Sequence, residues 1–191
     1  MKSITLSLLI ICLCSAKITA QTFTSEIQLQ KEWVITNNSQ ANAIYSYCHS
    51  GANITKEYDS TVVFPNGNNG AMKVTVNIPT PRNYYMDIQL GFLDSATITK
   101  SKQYRISFYY KSTHNVLFEV GAIKSASPWW ILSEKNSIHV RGNVKWQKAE
   151  FLFTAVTNFS GLARLPIIGL GKLPQGGALW LRDVKFELLD N

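Results

Sequence analysis

Tyr85, Asp87 and Gln89 stand two residues apart in the run Tyr84-Tyr85-Met86-Asp87-Ile88-Gln89-Leu90. On an extended strand such residues share a face, so a ring, a carboxylate and an amide would be presented together. Met86, Ile88 and Leu90 would then point the other way. This combination suits a ligand with hydroxyls at its edges and C–H patches on its faces. Planar rings stack on the patches, while amides, carboxylates and guanidinium groups bond the hydroxyls. Sugars have that character. Arg105 and Tyr109 in the run 104–111 and Glu119 in the run 116–123 are expected on neighbouring strands of the same face. Tyr45 and Tyr47 share a face and are candidates for one wall of a cleft. Trp129 and Trp130 follow Pro128, a residue typical of a strand start or edge. One of the two must point outward, and Trp130 is the stacking candidate.

Other chemistries find less support. A glycosidase needs two carboxyls roughly 5–9.5 Å apart, and Asp87 with Glu119 is the pairing on offer. Gly-x-Ser-x-Gly, His-Glu-x-x-His and Cys-x-x-Cys signatures are absent. His49, His114 and His139 have no metal-ligand spacing. Cys48 and His49 are adjacent, so on a strand they point to opposite faces and make a poor nucleophile–base pair. Cys48 reads instead as a buried small thiol. The chain is read as non-enzymatic.

The 191 residues are 46% hydrophobic and 16% charged. That excludes a disordered chain. No stretch approaches ~20 consecutive apolar residues, which excludes a polytopic membrane protein. Lys2, the apolar run 4–14 and Ala20 before Gln21 have the pattern of a secretory signal peptide. The expected organisation is a signal peptide over 1–20 and a single domain over 21–191, secreted to the cell envelope or beyond. Cleavage removes Lys2 and Lys17 and no acid, which leaves 17 basic against 12 acidic residues, or +5. It also leaves Cys48 as the only cysteine, so no internal disulfide is expected. The basic residues are scattered and form no run, so nucleic acid is not the expected partner. Their excess suits an acidic polysaccharide or an anionic surface.

Short β-rich runs recur at 33–36, 43–48, 71–78, 84–90, 104–111, 116–123, 129–133, 145–155, 162–169 and 178–188. Turn signals separate them, among them Pro65-Asn66-Gly67-Asn68-Asn69-Gly70 and Pro174-Gln175-Gly176-Gly177. No helix-length stretch shows a 3.6-residue period. Met72, Val74, Val76 and Ile78 alternate with polar residues, as do Tyr104, Ile106, Phe108 and Tyr110, and Phe118, Val120 and Ala122. The expected fold is all-β, an antiparallel jelly-roll β-sandwich with one apolar and one mixed face per strand.

Five motifs in order sharpen this expectation. They are Gly70-Ala71-Met72-Lys73-Val74, Met86-Asp87-Ile88-Gln89-Leu90, Thr99–Phe108, Trp146–Thr154 and Trp180-Leu181-Arg182-Asp183-Val184. Together they resemble the carbohydrate-binding modules of families 4, 9 and 22, galactose-binding-like jelly rolls often attached to secreted glucanases and xylanases. The resemblance covers roughly residues 30–188. It implies a polysaccharide or oligosaccharide partner of β-glucan or xylan type, bound non-catalytically in a cleft on one sheet, with the strand at 84–90 on the concave face. It also implies that Trp146 and Trp180 are core residues. In this family a structural calcium often uses acids from an N-terminal segment and from the closing motif. Here the N-terminal signature is missing, with Ser25-Glu26-Ile27-Gln28-Leu29 nearby. Arg182 replaces the first closing acid, and Asp183 is the remaining candidate ligand. Two alternatives stay open: a cell-envelope adhesion or assembly module that binds protein, and a small glycoside hydrolase.

Overall fold

A computed structural model describes residues 30–126, 132 and 137–189. The signal-peptide reading over 1–20, the segment Ser25–Leu29, and both Trp129 and Trp130 lie outside the described residues. The elements are β1 (Gln30–Trp33), α1 (Asn38–Ala43), β2 (Tyr45–Cys48), β3 (Asn53–Val63), β4 (Asn69–Ile78), a 3-10 turn (Tyr85–Asp87) and β5 (Ile88–Ile98). They continue with β6 (Gln103–Ser112), β7 (Leu117–Lys124), β8 (Ile138–Arg141), β9 (Gln147–Thr154), β10 (Phe159–Gly169) and β11 (Ala178–Leu189).

Two antiparallel sheets form a sandwich. One runs β3-β4-β11-β6-β9, and β1 joins β11 where β4 leaves it. The other runs β2-β5-β10-β7-β8. The expected all-β sandwich is therefore the observed fold. Alternation decides what lies between the sheets. Met72, Val74 and Val76 of β4, Ile106 of β6 and Phe186 of β11 are fully buried. So are Ile88, Leu90 and Phe92 of β5 and Val120 and Ala122 of β7. Tyr104 stacks on Phe186 at 5.3 Å and on Phe153 at 5.6 Å, and its hydroxyl oxygen accepts the Thr99 N–H at 2.7 Å. A buried phenol is thus both packed and satisfied.

Some expectations fail at the edges. Ile78 ends β4 and is 53% exposed rather than core. β3 has no apolar stripe because it is an edge strand, so its run shows no alternation. α1 is one short helix, started by Asn37, whose side chain accepts the Gln40 N–H at 2.9 Å. Trp146 and Trp180 are half-buried on the outer face of the six-stranded sheet and are not core. Their indole N–H groups donate to the Val63 carbonyl at 2.9 Å and to Asp59 at 2.8 Å. Lys111 lies over both rings, at 4.7 Å from Trp180 and 6.0 Å from Trp146.

The β3–β4 connection folds back over that outer face. Phe64 is buried and meets Tyr109 edge-on at 4.8 Å and Trp146 at 5.2 Å. This strap covers part of that sheet's outer face, over Tyr109, Trp146 and Arg182. Phe186→Ala should cost about 3–5 kcal/mol, as expected for removing a buried ring from a close-packed core. Urea denaturation checks this.

Candidate functional site

The outer face of the five-stranded sheet is built from cross-strand rows. Tyr47, Gln89, Gly169, Glu119 and His139 are successive partners in one row across all five strands. Tyr45, Gly91, Ile167 and Gly121 form the next. β10 carries one extra residue between Arg164 and Ile167, against both of its neighbours. That bulge reverses the alternation, so Arg164, Ile167 and Gly169 all face outward while Leu165 and Ile168 stay in the core.

A cleft of about 670 Å³ lies on this face. This is within the usual size range of small-ligand sites. Its floor is low because two rows contain glycines. A Cβ on Gly91 would stand 2.9 Å from Arg164 Cδ and 3.1 Å from the Tyr45 ring. The arginine stem fills that space instead. Tyr45 and Tyr47 of the edge strand β2 line one side, and Tyr84 and Met86 of the 79–87 loop line another. Tyr47 and Tyr84 are 43% and 52% exposed, so their rings are available.

Polar groups in the cleft are held in place. The Arg164 guanidinium lies 4.1 Å over the Tyr45 ring. It donates from Nη1 to Gln89 Oε1 at 3.2 Å, and Gln89 Nε2 donates to the Met86 carbonyl at 2.6 Å. The Gln89 amide is therefore oriented, with one N–H and one lone pair left for a ligand. Glu119 is the one carboxylate lining the cleft among the described residues.

The predicted site residues divide between several places. Gln89 and Glu119 are in the cleft together. Asp87 is not, because residues 85–87 form a 3-10 turn and the strand begins only at Ile88. The turn breaks the assumed parity, so Asp87 points inward. Its carboxylate accepts from Arg82 Nε at 2.9 Å, from Arg82 Nη2 and from Thr80 Oγ1 at 2.7 Å. The Arg82 guanidinium holds the Asp87 carboxyl well below the usual range, at about 2, with Thr80 assisting against the cost of burial. This cluster fixes the loop that carries Tyr84 and Met86. Tyr85 turns to His139, at 4.9 Å, and to Lys172, at 5.0 Å, and its neighbour Tyr84 lines the cleft instead.

Arg105 and Tyr109 are on β6 in the other sheet, across the sandwich from Gln89 and Glu119. The reason is topological: the short 99–102 turn carries the chain from one sheet to the other, so strands consecutive in sequence are not neighbours. Arg105 pairs with Glu187 at 2.9 Å and Tyr109 meets Phe64 edge-on, and both border a depression of about 280 Å³ on that other face. Trp130 lies outside the described residues. Asp87 and Glu119 do not converge in the cleft, so they do not form the carboxylate pair that glycoside hydrolysis requires. Burial pushes the Cys48 thiol up, the opposite of an activated nucleophile.

Asp183 sits on β11 with its Oδ1 3.4 Å from Arg182 Nε. Calcium takes six to eight oxygen ligands. Among the described residues no three acids, histidines or cysteines cluster as a metal site, and this carboxylate already faces a cation. The described donor set does not fit calcium.

Arg164, Tyr84 and Met86 were not singled out from sequence. Arg164 carried a signal: an arginine inside the apolar run Leu162–Gly169, followed by Pro166. A proline within a strand marks a bulge or an edge.

No protein-family model and no curated protein matches this chain. Solved structures do. A family 4 carbohydrate-binding module aligns at a TM-score of 0.56 with 18% identity, over 83% of this chain and 95% of that one. The fold is that of a carbohydrate-binding-module sandwich. The CBM22-1 xylan-binding domain of Paenibacillus barcinonensis Xyn10C aligns at 0.51 with 12% identity, over 85% of this chain and 94% of that one. The N-terminal cellulose-binding domain of Cellulomonas fimi β-1,4-glucanase C aligns at 0.52 with 13% identity, over 81% and 93%.

The Asp87 carboxyl titrates lower in the folded chain than the ordinary value of about 3.9. Its contribution is therefore complete above that value and lost as pH falls toward 2. Asp87→Asn should lower stability at neutral pH by roughly 1–2 kcal/mol and flatten the loss between about pH 4 and 2. Urea denaturation at stepped pH measures both.

Proposed function

We propose that this chain is a secreted, non-catalytic carbohydrate-binding protein that takes a segment of polysaccharide, of β-glucan or xylan type, in the cleft of the five-stranded sheet. The reading rests chiefly on the cleft itself: exposed Tyr47 and Tyr84 beside the oriented Gln89 amide and the Glu119 carboxylate. Rings on the walls would cover sugar faces, while Gln89, Glu119 and the Arg164 guanidinium would bond hydroxyls within the floor. The binding named for the xylan-binding and cellulose-binding neighbours agrees with this chemistry. The export pattern at 1–20 agrees with a polymer met outside the cell. Residues 21–191 would be the working unit.

Affinity should be modest. Each hydroxyl exchanges good water partners for protein ones, and only the surplus appears in binding. The test is affinity electrophoresis in gels containing soluble glucans, xylans or mannans. One polymer should retard the protein. Tyr47→Ala should weaken that retardation by roughly 3–10-fold, the worth of one aromatic stacking contact. Gln89→Ala should weaken it further, because the amide that contacts the ligand and one acceptor that orients the Arg164 guanidinium are both lost. Arg105→Ala, on the opposite sheet, should leave it unchanged. No retardation by any polymer, with a native thermal transition, would overturn the reading and favour a protein-binding envelope module.

A further inference from the structure

We infer that Arg182 does the work of a bound divalent cation, so that the corner between β11 and the β3–β4 strap is closed without metal. β11 has one extra residue between Arg182 and Lys185 in its pairing with β6, and Asp183 adopts φ 51° there. Aspartate tolerates this left-handed region better than most residues. The bulge leaves Arg182 on the outer face, beneath the strap, with its side chain 20% exposed.

Three oxygens converge on the guanidinium. Nη1 lies 3.2 Å from the Gly70 carbonyl and 3.4 Å from the Asn68 carbonyl, and Nε lies 3.4 Å from Asp183 Oδ1. Backbone carbonyls from a turn plus a carboxylate are the donor types that hard cations use. Here the planar fork of the arginine collects them instead, with the distributed donors that suit several oxygens at once. The central carbon of the group also lies 5.0 Å from the Phe64 ring. A cation–π contact therefore joins the strap's plug to the same charge.

Gly70 cannot easily be replaced in this arrangement. Its φ is +94°, and a Cβ there would fall 1.8 Å from the Tyr58 hydroxyl oxygen. The carbonyl is thus delivered by a backbone shape that only glycine takes without strain. A divalent ion at the same oxygens would face a fixed positive charge at close range. Arginine cannot shed that charge by deprotonation.

Thermal unfolding of the purified chain in excess calcium and in excess EDTA tests this. The wild-type midpoint should be the same in both. Arg182→Ala should lower it by about 2–8 °C in both. Should that variant fail to fold, Arg182→Lys keeps a charge without the fork, and a smaller drop in both is expected. A wild-type midpoint that falls in EDTA would overturn the inference. So would an Arg182 variant with an unchanged midpoint.

Discussion

The cleft depends on one extra residue in the central strand of the five-stranded sheet. Strand alternation is strict, so a residue cannot change faces unless the count changes. Between Arg164 and Ile167 the count does change, against β5 and β7 together. Without it, either the core would lose Ile168 or the floor would lose Ile167 and Gly169. With it, a guanidinium, an apolar side chain and a glycine stand in sequence along one open surface. Gln89 and Tyr45 then find the arginine between them, and the walls have something to enclose.

The second constraint is the loop that precedes β5. Tyr84 and Met86 reach the cleft because residues 85–87 turn rather than extend, and the turn is fixed by a buried carboxylate. Asp87 accepts from Arg82 and Thr80, and its backbone carbonyl accepts the His49 N–H at 2.7 Å. That last bond ties the loop to the end of β2, the strand that supplies Tyr45 and Tyr47. Two walls of the cleft are thus fastened to each other by one residue that never touches its interior. Losing such a residue would loosen the walls without removing any contacting group.

Most of the sandwich was legible in the sequence, because alternation over seven or more residues leaves few alternatives. The rows at β4 as far as Val76, at β6 and at β7 read correctly for that reason. Site residues were harder. Gln89 and Glu119 were found because each sits on a regular strand at the expected parity. Asp87 and Tyr85 were misplaced because a three-residue turn shifts the phase and has no apolar pattern of its own. Arg105 and Tyr109 had the right parity and the wrong sheet, since alternation tells in from out but not which layer a strand joins. The resemblance implies that Trp146 and Trp180 are core. Their indole N–H groups instead anchor them to the strap and to β3 at the surface.

The strap over the six-stranded sheet has a consequence for valency. Tyr109 and the two tryptophans would otherwise offer a second aromatic platform, back to back with the first. Phe64 and Arg182 cover part of it, and a smaller depression of about 280 Å³ beside Arg105, Tyr109 and Lys185 remains there, so among the described residues the larger groove is the one on the five-stranded sheet. On the proposed reading, a copy that used the larger groove alone would hold one strand of a polymer without cross-linking two. Avidity on an insoluble surface would then come from arraying copies, set by the spacing between them rather than by the strength of one groove.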